Sequence, residues 1–155
     1  MKRRYLSLIC IIAFMLSISG VNVRAQGAMS MVDGSYLTYE DESTGDAIHI
    51  TRGEYLQAGT SKITKAATGV INAGGTTSAA RTANEVGIAV VVERLKSGSS
   101  SWYYYKSWEV TKANAAYVSS SKRLTVSGGY YYRVRSTHWA NSDASSSSTS
   151  GIYID

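Results

Sequence analysis

Few side chains in this chain of 155 residues could act in catalysis or bind a metal ion. The two histidines, His49 and His138, do not form a local metal-binding motif such as H-x-H or H-E-x-x-H. His138 could activate a serine nucleophile, but serine is so abundant that such combinations arise by chance, and no G-x-S-x-G motif occurs. The sequence therefore predicts no catalytic residue, no metal site and no cofactor.

Two pairs of carboxylates could be considered as the acid and base of a glycosidase. Asp41 and Glu42 lie in a segment without sustained periodicity, whereas Glu85 and Glu93 lie near opposite ends of one predicted strand. Neither placement is typical of two carboxylates that flank a substrate. We therefore interpret them as solvated charges and predict that the protein is not an enzyme.

Aromatic residues are the enriched group, with twelve tyrosines and three tryptophans. Residues 103–105 and residues 130–132 are both runs of consecutive tyrosines. Because neighbouring side chains of a strand point to opposite faces, each run should place at least one tyrosine on the outer face or at an edge. The facing of the first run stays open, since Lys106 interrupts one apolar set and Glu109 the other.

The second run leads to a candidate site. Alternation places Tyr132 and Val134 on the core face and leaves Tyr131, Arg133 and Arg135 facing outward. Tyrosine rings and guanidinium groups are typical of glycan-binding and protein-binding surfaces. These three residues are therefore the predicted ligand-binding surface, for an unknown extracellular glycan or protein. In the alternative interpretation, they only stabilise the sheet through cross-strand pairs.

The first 25 residues have the pattern of a secretory signal peptide. Basic residues at positions 2–4 precede an apolar run at 6–18, and residues 23–25 are small enough for recognition by a signal peptidase. The apolar run is shorter than the roughly 20 residues that span a bilayer. We expect cleavage before Gln26, a location outside the cell or at its surface, and no stable membrane insertion afterwards.

Cleavage at that position would remove most of the positive charge. The whole chain has a formal net charge of +5, but residues 26–155 contain 12 basic and 11 acidic side chains, a net charge of +1. This balance removes the argument for binding nucleic acid. Cys10 is the single cysteine, so the exported chain would contain no thiol and no disulfide.

The rest of the chain divides into two parts. Residues 26–52 lack a sustained period and are predicted to be a loosely structured leader. Residues 53–155 contain short alternating runs, of which 86–95 is the clearest strand, separated by clusters of Gly, Ser and Asn. Gly74 and Gly75 are predicted to form a turn, and the serine-rich residues 141–150 a mobile loop.

Strands at such short spacing, with no helical pattern between them, favour an all-β fold. We predict an antiparallel, immunoglobulin-like β-sandwich of about six to seven strands.

Two resemblances accompany this fold prediction. Residues 129–135 (GYYYRVR), followed by a polar loop and a short last strand, resemble the last two strands of immunoglobulin-like and fibronectin type III sandwiches. Residues 53–155, with the Trp102-x5-Trp108 pair and the final 151–154 (GIYI), resemble an uncharacterised family of small proteins secreted by Gram-positive bacteria. This family is of unknown function. The resemblance implies secretion and a compact β domain, and implies no activity.

Two classes of function fit these observations. The leading hypothesis is a secreted, non-catalytic β-sandwich that acts as an extracellular or cell-surface binding module. The alternative is a small secreted effector, such as a bacteriocin or toxin acting on neighbouring cells, which the size favours and the small net charge does not. A secreted hydrolase is disfavoured because no reactive set of residues is evident.

Overall fold

The structure is a computed structural model that describes residues 30–47 and 54–155. Strands in this part of the chain are β1 (Met31–Val32), β2 (Ser35–Thr38), β3 (Glu42–Asp46), β4 (Leu56–Ala67), β5 (Val70–Lys96), β6 (Tyr103–Thr125), β7 (Tyr130–Ala140), β8 (Asp143–Ser148) and β9 (Gly151–Ile154). None of the described residues forms a helix long and apolar enough to cross a membrane. The predicted signal peptide, residues 1–25, and the predicted domain boundary at residue 53 lie outside the described ranges.

The strands belong to one connected, curled sheet. Its order is β1-β2-β9-β7-β5-β4-β3, with β6 pairing with β5 and β8 pairing with β7. All of these pairs are antiparallel except β2 with β9, which is parallel. The sheet curls into a half-barrel, so that β4 packs across the interior against β7 and β8.

The long strand β5 explains how the sheet curls. Its first half pairs with β4 and β6, whereas its second half pairs with β6 and β7. The register of β5 with β6 shifts between Ser78 and Ala83, at the junction of these two halves. Both strands therefore run through two facing layers and connect the layers at the bend.

The core lies between these two layers. As the alternation predicts, Val86, Ile88, Val90 and Val92 of β5 all have no exposed surface. They pack in one cluster with side chains of the facing layer and of β7 and β9, including Ile63, Ile71, Tyr132, Val134 and Ile152. Burial of these β-branched and aromatic side chains is the main favourable term for such a fold.

The prediction of an all-β, largely antiparallel fold is confirmed. The finer prediction of an immunoglobulin-like sandwich with six to seven strands is not what the sheet topology shows, because nine strands form one curled sheet. The predicted turn at Gly74 and Gly75 lies inside β5. A Cβ atom at either glycine would collide with the backbone of a neighbouring strand, so these glycines permit a close approach of strands.

The N-terminal residues take part in this sheet. Residues 31–46, which the sequence predicts to be loosely structured, contain β1, β2 and β3. β3 pairs with β4 over five residue pairs, and β2 pairs with β9. The prediction of a loose leader is therefore wrong for residues 31–46. Short edge strands pair through their main chain with a sheet that the rest of the protein supplies, so they need no hydrophobic periodicity of their own.

Candidate ligand-binding surface

The outer face of β7 contains the three predicted surface residues. The strand alternates as predicted: Tyr132 and Val134 are buried in the core, and Tyr131, Arg133 and Arg135 point to the other face. Their exposure nevertheless differs strongly. Tyr131 is 7% exposed and Arg133 1% exposed, whereas the side chain of Arg135 is 56% exposed. The prediction that all three face solvent is therefore correct for Arg135 and wrong for Tyr131 and Arg133.

The Arg133 guanidinium is buried among polar groups from two parts of the chain and one aromatic ring. Its Nε donates to Glu93 Oε2 at 2.7 Å, and its Nη2 donates to Asp33 Oδ2 at 2.7 Å. Its Nη1 donates to the Asp33 carbonyl oxygen at 2.8 Å and to Ser35 Oγ at 3.0 Å. Arg133 Cζ also lies 4.3 Å from the centroid of the Trp102 ring. The guanidinium is thus occupied by internal partners, and hydrogen bonding to it lowers the pKa of Asp33.

The segment that covers Arg133 is residues 30–39, which we call the N-terminal clasp. It is fixed to the sheet at several points besides Arg133. Trp102 Nε1 donates to the Val32 carbonyl oxygen at 3.0 Å, and Ser35 Oγ donates to the Thr149 carbonyl oxygen at 3.0 Å. The Trp102 ring packs over Gly151, where a Cβ atom would collide with it. The clasp is thus an integral part of the fold.

Tyr131 lies beneath the end of the clasp in a cluster of three tyrosines. Its ring centroid is 5.9 Å from that of Tyr39 and 5.2 Å from that of Tyr153. The Tyr39 and Tyr153 centroids are 5.2 Å apart. Burial, reinforced by a hydrogen bond to Tyr39, raises the pKa of Tyr131 to about 12. Tyr131 therefore packs against aromatic neighbours and is not presented to a ligand.

Beyond the clasp, the outer face of β7 opens into a groove of about 260 Å³. Its lining residues are Val91, Glu93, Arg135, Ser136, Thr137, Ser146, Ser147 and Ser148. Arg135 Nη1 is 4.0 Å from Glu93 Oε1, too far for a hydrogen bond, while Glu93 Oε2 is already bound by Arg133. The Arg135 guanidinium therefore keeps its donors available. We call this feature the Arg135 groove.

The inner face of the same part of β7 contains a buried polar network. His138 Nε2 and Ser147 Oγ are 2.7 Å apart, and His138 Nδ1 and Thr77 Oγ1 are 2.8 Å apart. Ser61 Oγ lies 2.7 Å from both Ser147 Oγ and Ser136 Oγ. All five side chains are buried, and burial lowers the pKa of His138 to about 4.

The contact between Ser147 and His138 has the distance of a nucleophile–base pair, but its setting is that of a packing element. The second ring nitrogen of His138 meets the Thr77 hydroxyl where a catalytic triad has a carboxylate. The ring also packs over Gly59, where a Cβ atom would collide with it. We interpret the network as a means of satisfying buried polar groups.

The sequence allows a pairing of His138 with a serine but does not identify Ser147 as the partner. One signal was available: Ser136 and His138 continue the inward alternation that begins with Tyr132 and Val134. Polar residues at inward positions of a strand indicate an internal hydrogen-bond network. Within residues 30–47 and 54–155, no group of three or more His, Cys, Asp and Glu side chains is placed to hold a metal ion.

Comparison with known proteins gave one finding. The model of a family described as a family of unknown function, DUF6147, matches residues 29–152. No curated protein and no solved structure matched the chain. The matched range includes β1, β2 and β3, so the N-terminal clasp lies within the region that defines the family.

Proposed function

Because the chain belongs to DUF6147, a family of unknown function, we propose its function from the geometry of its surface: a secreted, non-catalytic binding module. It acts outside the cell or at the cell surface. The pattern of residues 1–25 supports export, and the Arg135 groove supports binding. The observation that carries the proposal is the exposed Arg135 guanidinium at the edge of a groove lined with hydroxyl groups.

The chemistry of the Arg135 groove favours a ligand with an acidic group next to hydroxyl or ammonium groups. A guanidinium with free donors binds carboxylate or phosphate in a bidentate manner. Thr137 and Ser146 point into the same space from neighbouring strands and offer both donors and acceptors. Glu93 Oε1 lies at the same site and can accept a hydrogen bond from the ligand. An acidic glycan and an acidic peptide both present such groups.

The buried network supports a role without catalysis. Ser147 is the serine paired with His138; its hydroxyl group is engaged in the buried network, and His138 has no exposed surface. A histidine with a pKa near 4 is also a weak base at neutral pH. The carboxylate in the groove, Glu93, is held by Arg133 and so is not free to act as a base.

The test uses the full chain, expressed in a Gram-positive secretion host and purified from the medium or, if it is retained, from detergent-solubilised membranes. Binding is measured on an array of acidic and neutral glycans, on acidic peptides and by peptidoglycan pull-down. We expect binding to an acidic probe that Arg135→Ala weakens at least about tenfold. Arg123→Ala is the matched control, since it removes an exposed arginine from β6.

The same experiment can overturn the proposal. If acidic probes bind equally well to the wild-type protein and to Arg135→Ala, or if Arg123→Ala weakens binding as much, the groove is not the site. The intact mass of the exported protein should correspond to a chain beginning at Gln26. Clearing zones in a growth-inhibition assay against related bacteria would support the alternative function, a secreted effector, in place of the binding module.

A further inference from the structure

The opposite layer of the sheet has a second groove, on the outer face of β3, β4, β5 and β6. Its volume is about 290 Å³. Its lining is dominated by hydroxyl side chains and includes a single aromatic residue: Thr44, Thr60, Lys62, Thr64, Asn72, Gly74, Gly75, Thr76, Tyr117, Ser119, Ser120 and Ser121. We call it the Tyr117 groove. It lies on different strands from the Arg135 groove, apart from β5, which contributes to both.

Strand register explains why this face is concave. Lys62 of β4 and Ser121 of β6 both lie opposite Gly74 of β5, so the middle of this row has no side chain. In a neighbouring row, Thr60 lies opposite Thr76, with their Oγ1 atoms 2.7 Å apart. The glycine thus forms the floor of the groove, and the hydroxyl side chains form its sides.

Much of the hydrogen-bonding capacity in this groove is unused. Within the described part of the chain, Thr64, Asn72, Ser119 and Ser121 are among the lining residues whose side chains make no hydrogen bond. Each of these residues is partly or fully exposed. Together they present donors and acceptors on three neighbouring strands, which are spaced by about 4.8 Å. Such an array matches a ligand that carries many hydroxyl groups over an extended surface.

Tyr117 adds a flat apolar surface at one end of the groove. It is 50% exposed and lies opposite Ser78 of β5. Its hydroxyl group has no partner among the described residues. A tyrosine ring exposed in this way offers an apolar face for the C–H groups of a sugar ring, and its hydroxyl remains available for a hydrogen bond.

The charges in the groove favour a neutral ligand. The cation among the lining residues, Lys62, is paired with Glu42, with Nζ 2.9 Å from Oε2. An anionic polymer would find no uncompensated positive charge there. A protein partner is disfavoured as well, because serine is depleted from protein–protein interfaces, whereas serine and threonine dominate this lining.

We propose that the Tyr117 groove binds a neutral oligosaccharide. One sugar ring stacks on Tyr117, and the neighbouring sugars hydrogen-bond to Thr64, Asn72, Ser119 and Ser121. The floor at Gly74 gives the chain of sugars room to lie across the strands. This site is independent of the Arg135 groove, so either proposal can fail while the other stands.

The test is a glycan array carrying neutral oligosaccharides such as cellohexaose, maltohexaose and chitohexaose, with pull-down on insoluble neutral polysaccharides. The full chain, prepared as above, should bind at least one neutral glycan. Tyr117→Ala should weaken this binding at least about tenfold. Thr64→Val, which keeps the side-chain shape and removes the hydroxyl, should weaken it less. The matched control is Tyr103→Ala, since Tyr103 is an exposed tyrosine of β6 outside the groove.

Three results would overturn this proposal. The first is that no neutral glycan or polysaccharide binds. The second is that Tyr103→Ala weakens binding as much as Tyr117→Ala, which would indicate a general effect of surface tyrosines. The third is that neutral-glycan binding is lost in Arg135→Ala and retained in Tyr117→Ala, which would assign the glycan to the other groove. Unchanged melting temperatures of the variants establish that folding is not the cause.

Discussion

The two halves of the outer face of β7 follow the same alternation but differ in their exposure to solvent. In the first half, Tyr131 and Arg133 are buried beneath the N-terminal clasp. In the second half, Arg135 is exposed and borders a groove. Alternation determines the face to which a side chain points, whereas exposure depends on what packs onto that face. A remote segment of the chain therefore decides which arginine can bind a ligand.

The contrast extends to charge. Arg133 has a short ion pair with Glu93 and another with Asp33, whereas Arg135 is 4.0 Å from its nearest carboxylate, which also belongs to Glu93. A buried guanidinium needs both charge compensation and hydrogen bonds to offset its desolvation. The clasp supplies much of this charge compensation and hydrogen bonding through the side chain and carbonyl group of Asp33. Burial of Arg133 and attachment of the clasp are thus two aspects of one interaction.

The largest expected effect on stability comes from replacing Arg133, with the same replacement at Arg135 as the comparison. Arg133→Met should lower the free energy of unfolding by about 3–5 kcal/mol, because it leaves the mostly buried Glu93 without its short ion pair. Arg135→Met should change it by less than about 0.5 kcal/mol, as surface substitutions usually do. Urea unfolding of both variants measures the difference. Equal effects at the two positions would mean that the clasp does not cover Arg133.

A second, smaller effect is expected from the aromatic cluster. Tyr131→Ala should lower the free energy of unfolding by about 2–3 kcal/mol, because it removes a buried ring that packs against Tyr39 and Tyr153. Thr137→Ala, at an outward position of β7 beyond the clasp, is the control and should change stability by less than about 0.5 kcal/mol. Thermal or urea unfolding provides the comparison. A negligible change in stability for Tyr131→Ala would mean that Tyr131 is exposed, as the sequence alone predicts.

A third effect concerns the pH dependence of stability, which depends on His138. This residue is buried on the inner face of the second half of β7. Its pKa is about 4 in the folded protein, against about 6.5 in an unfolded chain. Below pH 6.5 the unfolded state binds more protons, so stability falls as pH decreases towards 4. Between pH 7 and pH 4.5 the loss should be about 2–3 kcal/mol.

Urea unfolding across this pH range measures the effect of His138. The His138→Gln variant should show a flatter dependence on pH, because it removes the titrating group. The carboxyl groups of Asp33 and Asp155 also have lowered pKa values, and their stabilisation is lost only below about pH 4. An equally steep dependence in His138→Gln would assign the acid sensitivity to other groups.

Features set by local alternation were predictable from the sequence. The buried face of Val86, Ile88, Val90 and Val92 and the alternation of β7 follow from a period of two. Features that depend on partners remote in sequence were not predictable. Nothing local to Arg133 indicates that Asp33, a hundred residues away in sequence, covers it.

Two further differences have the same origin. The serine-rich residues 141–150 have the composition of a loop, yet β8 lies within them, because pairing with β7 supplies the order. Their inward side chains, such as Ser147, are stabilised by the buried network. The Arg135 groove is partly predictable, since the alternation places Arg135 on the outer face. Its hydroxyl wall depends on the pairing of β8 with β7, which nothing in the local sequence indicates.

The central claim is that the clasp shields one half of the outer face of β7 and leaves the other half open. The most direct test is thiol labelling of single-cysteine variants, Tyr131→Cys and Thr137→Cys, each in a Cys10→Ser background. Under native conditions, Cys at position 137 should react rapidly with a maleimide. At position 131 it should react orders of magnitude more slowly, and rapidly once urea unfolds the protein. Equally rapid native labelling at both positions would contradict the account.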